Sequence, residues 1–219
     1  MQFFSLLWDL DGTLVDSQRD IVDCILKSIE TTGMTANPAE NSITVGPPIR
    51  DIIRGCLPHI EDSEMETIVS EFRKRYDDSE FFHTRPYPEI TEVLDALHEH
   101  QHFIVTNKPS YPTARLLNKL GWKMLFKDVY TPNRRGSDNL LPKTVLISLA
   151  LEEHGLSPES CFFVSDTVSD VKAAHANGVQ AIGVAWGYEH PSALSDCGAD
   201  WIAHIPTDII RFVNGNANE

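Results

Sequence analysis

Strand-length apolar runs alternate with segments of helical period along this chain, and that alternation restricts its architecture more than any other feature. The runs are Phe3 to Trp8, Phe103 to Thr106, Cys161 to Ser165 and Val179 to Ala185, with weaker ones at Asp128 to Thr131 and Trp201 to Ala203. Between them, Ile90, Val93, Leu94 and Leu97 keep the spacing of one helix face, as do Val145, Leu146 and Leu149 with their neighbours up to Leu151. Strands alternating with helices predict parallel pairing and a sheet covered on both faces, an α/β fold. The alternation lapses between about Asp16 and Arg85, where only helical period remains: Ile21, Ile25 and Ile29, then Met65, Ile68, Val69, Phe72 and Tyr76. That stretch is expected to be an inserted helical domain, with Pro86 and Pro88 punctuating the return to the sheet.

The 219 residues suit one large α/β domain or one domain carrying a modest insertion. A formal charge of −14 sets up a field that repels nucleic-acid phosphates and anionic membrane surfaces, so neither partner is expected. Cys24, Cys56, Cys161 and Cys197 lack paired spacing and are expected to be reduced core thiols. No leader opens the sequence and no apolar run approaches the roughly 18 to 20 residues of a membrane span, which points to the cytoplasm.

The first apolar run ends in Trp8-Asp9-Leu10-Asp11-Gly12-Thr13. Ligands of parallel sheets collect at the carboxyl ends of strands, which marks Asp9 and Asp11 as site candidates. Two carboxylates so close repel by something like 4 kcal/mol at ~4 Å and an effective dielectric near 20, so they call for a cation. A second run, Val164-Ser165, leads into Asp166-Thr167-Val168-Ser169-Asp170. If both strands are central, Asp166 joins Asp9 and Asp11 in an oxygen cage of the hard kind that favours Mg²⁺. A third strand ends in Thr106-Asn107-Lys108, offering a hydroxyl, an amide and loop N–H groups to phosphate oxygens. Lys143, at the start of a helix, is placed to supply a lysine to the same anion, and Lys108 is its rival for that role.

Taken in chain order, from Asp9 through Thr106 and Lys143 to Asp166, these four segments resemble the four motifs of the haloacid dehalogenase superfamily, in the branch containing phosphoglycolate phosphatases and β-phosphoglucomutases. The likeness spans nearly the whole chain, including Tyr87-Pro88 and Gly183 to Tyr188. Two departures stand out: Ser165 occupies a place where the family usually has Gly, and Pro142 precedes Lys143 instead of following it. The resemblance implies a Rossmann-like parallel core from 1–15 and 87–219 and a helical cap from 16–86. It implies that Asp9 attacks phosphorus to form an aspartyl-phosphate while Asp11 serves as acid and then base. Mg²⁺ would be held by Asp9, the backbone carbonyl of Asp11 and Asp166, with Asp170 behind them. Gly12, Thr106, Asn107 and Lys143 would meet the phosphate, and Arg50, after Gly46-Pro47-Pro48, a second anionic group of the substrate.

The expected activity is a Mg²⁺-dependent phosphatase acting on a small phosphorylated metabolite, with 2-phosphoglycolate the leading substrate and a monomer or homodimer the expected state. The Asp-x-Asp pair argues against carbon–halogen cleavage. The rivals are a phosphomutase that returns the phosphoryl group to a sugar, and a non-catalytic protein that only binds phosphometabolites. Two other clusters receive plain readings. His98, His100 and His102 are expected to sit near a helix C-terminus, where histidine is electrostatically favoured, and Arg134 with Arg135 in a solvated turn.

Overall fold

A strand flanked by neighbours and covered on both faces has no side that tolerates water, so it must be apolar at nearly every position. The computed structural model, which describes residues 3–36, 43, 45–136 and 140–216, puts such segments at the centre of the sheet. Among the described residues the strands are β1 (Ser5–Trp8), β2 (Val15–Asp16), β3 (Arg85–Pro86), β4 (Gln101–Val105), β5 (Asp128–Tyr130), β6 (Cys161–Ser165), β7 (Gln180–Val184) and β8 (Trp201–Ala203). β1 and β6 are buried at every residue. Six strands form one parallel sheet in the order β5-β4-β1-β6-β7-β8, and β2 and β3 make a separate ribbon. The order steps outward from β1 through β4 to β5, then restarts on the other side with β6. β1 therefore stands where the order reverses, and the carboxyl ends of strands there open the crevice in which ligands of such sheets bind.

The chain forms two compact units, Met1–Val15 with Pro86–Glu219, and Asp16–Arg85. In the first, α4 (Ile90–Ala96), α5 (Ser110–Lys119), α6 (Lys143–His154), α7 (Val168–His175), α8 (Pro191–Asp196) and α9 (Asp208–Asn216) accompany the sheet. Leu7, Phe103 and Phe163 of the strands share a core cluster with Leu146, Ile147 and Ala150 of α6 and Val171 and Ala174 of α7. The apolar stripe of α6 is Leu146, Ile147, Leu149 and Ala150; Val145, expected on it, is exposed, one position off the stripe. Gly155, left-handed at φ 61°, stops α6 as glycine does at a helix C-terminus.

The second unit holds α1 (Gln18–Thr31), α2 (Ile49–Cys56) and α3 (Asp62–Asp77). Ile21, Ile25 and Ile29 of α1 and Met65, Ile68, Val69 and Tyr76 of α3 are buried, the stripes that the helical period predicts. Asp20, in the first turn of α1, is buried as well. Its carboxylate accepts from the His83 N–H at 3.0 Å, the Thr84 N–H at 2.7 Å and the Thr84 hydroxyl at 2.6 Å, the compensation a buried charge requires. The four cysteines are free, and no helix of the described residues is long and apolar enough to cross a membrane.

Two polar clusters differ from their sequence-based readings. His98 does bond to the end of α4, through the Asp95 carbonyl, but His100 and His102 are buried. The Phe4 N–H donates to His100 Nδ1 at 3.1 Å, and the Trp8 indole N–H donates to His102 Nδ1 at 3.0 Å. Burial holds both imidazoles below their ordinary pKa and thus neutral, which keeps Nδ1 free to accept. Arg135 is exposed as expected, whereas Arg134 is not simply solvated. Its guanidinium lies 4.1 Å from the centroid of the Tyr130 ring and pairs with Asp128 at 2.9 Å and Glu153 at 2.6 Å. One planar cation thereby ties the end of β5 to α6.

Candidate active site

Asp9 leaves the carboxyl end of β1 with its N–H still bonded to Val164 O at 2.9 Å, so the strand's register continues into the site. The chain then turns tightly: Leu14 N–H and Val15 N–H both donate to Leu10 O at 3.0 Å, and Gly12 N–H donates to Val15 O at 2.9 Å. Gly12 is required there twice over. Its φ is +85°, and a Cβ at that position would stand 2.2 Å from Asp166 Oδ2.

Trp8 pairs in register with Val164, so the residues following β1 and β6 emerge side by side and Asp166 enters the same corner as Asp9. Thr167 caps α7 by accepting from Asp170 N–H at 3.3 Å, which draws Asp170, almost fully buried, toward the same point. From the other direction Lys143, the first residue of α6, brings a buried ammonium. Its Nζ lies 2.9 Å from Asp9 Oδ1 and 2.7 Å from Asp170 Oδ2. Lys108 reaches Asp11 instead, with Nζ 2.8 and 2.9 Å from the two carboxylate oxygens. The two lysines weighed against each other in the sequence thus serve different carboxylates. Thr106, buried, follows β4 directly beside β1; its hydroxyl accepts from Lys108 N–H at 3.1 Å, and Asn107 is exposed on the same loop. Arg50 lies in the helical unit, where both guanidinium NH₂ groups hold Glu66 at 2.7 Å. Ser165 is buried, and its hydroxyl oxygen has no hydrogen-bond partner among the described residues.

The electrostatics follow from this packing. Burial pushes the Asp9 carboxyl up to about 8 against the pull of Lys143, with Asp170 and Asp166 adding repulsion. Burial likewise raises Asp166 to about 7, against the Tyr188 N–H that bonds its carboxylate. Lys143 is held above its ordinary value because Asp170 and Asp9 together outweigh its own burial. The Asp9–Lys143 pair therefore favours the ammonium strongly, while Asp9 is left short of positive charge. Once all four carboxyls (Asp9, Asp11, Asp166, Asp170) are ionised, the two ammonium groups (Lys108, Lys143) leave a formal charge of −2, which one divalent cation would balance.

The expected ligand set takes only the main-chain carbonyl of Asp11, beside the carboxylates of Asp9 and Asp166. Among the described residues no three His, Cys, Asp or Glu side chains gather into a metal cage, and both oxygens of Asp11 are taken by Lys108. The side-chain oxygens that fit a divalent cation are those of Asp9 and Asp166, leaving Asp11 only its main-chain carbonyl to offer. Asp170 is bound to Lys143 and shapes the corner from behind.

Residues 6–184 match the family model described as haloacid dehalogenase-like hydrolase. The chain belongs to that family. A phosphoglycolate phosphatase of Aquifex aeolicus is 29% identical to this hydrolase over 217 residues, covering 98% of each chain. A 5'-nucleotidase of Pseudomonas aeruginosa is 27% identical over 210 residues, covering 94% of this hydrolase and 90% of its own length. Among solved structures, a haloacid dehalogenase-like protein of Streptococcus pneumoniae superposes with a TM-score of 0.86 at 24% identity, over 96% of this chain and 98% of its own, which bears on the fold.

Several further residues of this hydrolase border the site. Thr13 donates its hydroxyl to Asp166 Oδ1 at 3.2 Å, and the Trp186 indole N–H donates to Thr13 O at 3.0 Å. Tyr188 reaches the site through its backbone N–H, 2.9 Å from Asp166 Oδ2, and Glu189 accepts from Val168 N–H at 2.9 Å at the start of α7. In the sequence, Trp186 and Tyr188 around Gly187, just after an apolar strand, are expected as a packed loop beside the site, whereas the roles of Thr13 and Glu189 leave no signal.

Proposed function

We propose that this hydrolase removes the phosphoryl group from a small phosphorylated metabolite through an aspartyl-phosphate on Asp9, with Mg²⁺ as its cation and 2-phosphoglycolate as the first substrate to try. Family membership and the named relatives make the enzyme class that of phosphoric monoester hydrolases. The observation that carries the mechanism is the buried Asp9 at the carboxyl end of β1, with Lys143 2.9 Å from its Oδ1 and a second carboxylate two residues on.

In this reading, Asp9 Oδ forms a bond to phosphorus as the ester P–O bond breaks, and the Asp11 carboxyl gives its proton to the departing oxygen. Water then attacks the aspartyl-phosphate, Asp11 takes its proton, and the P–Oδ bond breaks to free phosphate and restore Asp9. Lys108, bonded to both oxygens of Asp11, holds that group in one orientation. Lys143, Gly12, Thr106 and Asn107 orient and neutralise the phosphoryl oxygens, which is most of what such transfer requires. Asp9 and Asp166, with the Asp11 carbonyl, would hold Mg²⁺, which when bound neutralises developing charge on the phosphoryl group. Residues 16–86 are proposed as the helical cap domain and 1–15 with 87–219 as the catalytic core, with Arg50 a candidate contact for a second anionic group of the substrate.

Phosphate release from 2-phosphoglycolate, nucleoside 5'-monophosphates and p-nitrophenyl phosphate, with Mg²⁺ and with excess chelator, tests the proposal. Nucleotides belong in the series because one relative is a 5'-nucleotidase. The expected result is chelator-sensitive hydrolysis that falls roughly 10³-fold or more in Asp9→Asn, the scale of losing a nucleophile. Hydrolysis indifferent to either change would overturn it.

A further inference from the structure

The segment that follows β7 approaches Asp166 in three ways at once. The Tyr188 N–H donates to Oδ2 at 2.9 Å. Gly187 lies so close that a Cβ there would stand 2.1 Å from Asp166 Cβ and 2.7 Å from Oδ2, while Gly12 encloses the carboxylate from the β1 turn, its own would-be Cβ 2.2 Å from Oδ2. The third approach is indirect. The Trp186 indole N–H holds Thr13 O at 3.0 Å, and the Thr13 hydroxyl donates to Asp166 Oδ1 at 3.2 Å. Asp166 is thus enclosed between two glycine backbones and bonded at both oxygens, with no exposed surface.

We propose that Trp186 and Gly187 are positioning residues: together they form a strap that fixes the Asp166 carboxylate in the single orientation that offers an oxygen to the divalent cation. The inference rests on Asp166 being a ligand of that cation. Outer partners in metal sites generally restrict a ligand to one rotamer before the ion arrives, so that less ordering is left for binding to supply. Gly187 does this by volume. Its φ is not in the left-handed region, so an alanine there meets no backbone strain of its own and acts only through the space it takes from Asp166. Trp186 does it by holding the turn: without the indole N–H, Thr13 O loses its anchor, and the hydroxyl of the same residue is no longer aimed.

Mn²⁺ affinity, read by the paramagnetic resonance signal of the free ion and requiring no turnover, tests the strap in the full-length wild type, Trp186→Phe, Gly187→Ala, Asp166→Asn and Gly215→Ala. Gly215 has nothing within 4 Å of its would-be Cβ and serves as the control. Gly187→Ala or Trp186→Phe is expected to weaken Mn²⁺ roughly tenfold to a hundredfold, with Gly215→Ala unchanged. Steady-state kinetics on p-nitrophenyl phosphate at fixed Mg²⁺ should show kcat falling while KM moves little, a split that general loosening of the fold would not give. Should Gly187→Ala fail to fold, Trp186→Phe decides alone, since it keeps an aromatic ring in place. Wild-type affinity in both strap variants alongside weakened Asp166→Asn overturns the strap and leaves the proposed function standing. Wild-type affinity in Asp166→Asn removes Asp166 as a ligand, and the strap with it.

Discussion

At the scale of single residues, the site is an electrostatic debt held in place by the fold. Asp9 has a raised pKa because burial and two neighbouring carboxylates outweigh Lys143. A carboxyl whose folded pKa, about 8, exceeds its unfolded value of 3.8 leaves the native state binding more protons than the unfolded chain between those values. Its contribution to stability therefore declines as pH rises through that window. In metal-free solution the urea midpoint of the wild type should fall relative to that of Asp9→Asn as pH goes from 5 to 8, and saturating Mg²⁺ should narrow the gap. His102 has the opposite sign. Its folded pKa is depressed, so its contribution is complete above 6.5 and lost as pH falls through the folded value. Replacing it with Phe strands the Trp8 indole N–H, a buried donor, at an expected cost of about 1–3 kcal/mol in urea denaturation at pH 7.5.

At the scale of elements, what could be read in advance depended on whether side chains or backbone did the work. β6 coincides with the run Cys161 to Ser165 because a strand buried at every residue is almost wholly apolar, and β8 coincides with Trp201 to Ala203 although only Ala203 of it is buried. β4 begins with Gln101 and His102, which look like the polar end of a helix until the neutral His102 ring is seen paired with Trp8. β2 and β3, two residues each, are too short to leave a pattern. In the site, Asp9, Asp11, Asp166 and Lys143 were legible because charged residues at strand ends and helix starts are conspicuous. The surroundings of Asp166 showed only as a loop packed beside the site: Gly187 acts through lacking a side chain, Tyr188 through its amide, and Trp186 through an indole N–H on the Thr13 carbonyl. The first turn of α1 gives a further test. Asp20→Ala leaves the His83 and Thr84 N–H groups without their acceptor, so those two amides should exchange with solvent markedly faster while amides of β1 and β6 keep their protection.

At the scale of the whole molecule, the charge of −14 works against an anionic substrate's approach even though the site itself gathers two lysines. Like charges slow encounter, and salt screens that repulsion over about 8–10 Å at 0.1–0.15 M. With Mg²⁺ held saturating, kcat/KM for a phosphomonoester should rise as KCl goes from 20 to 150 mM; a steady fall would mean that attraction local to the site dominates the approach.

The strand order carries a consequence for descent. β1, β4 and β6, whose ends bear the residues proposed to react, each have a neighbour on both sides, whereas β5 and β8 are flanked on one. Drift in a lineage can lengthen, shorten or re-dress those outer strands and the loops beyond them while the chemistry stays untouched. Novelty in this protein's relatives should therefore accumulate at the margins of the sheet, with the middle inherited almost as a single character.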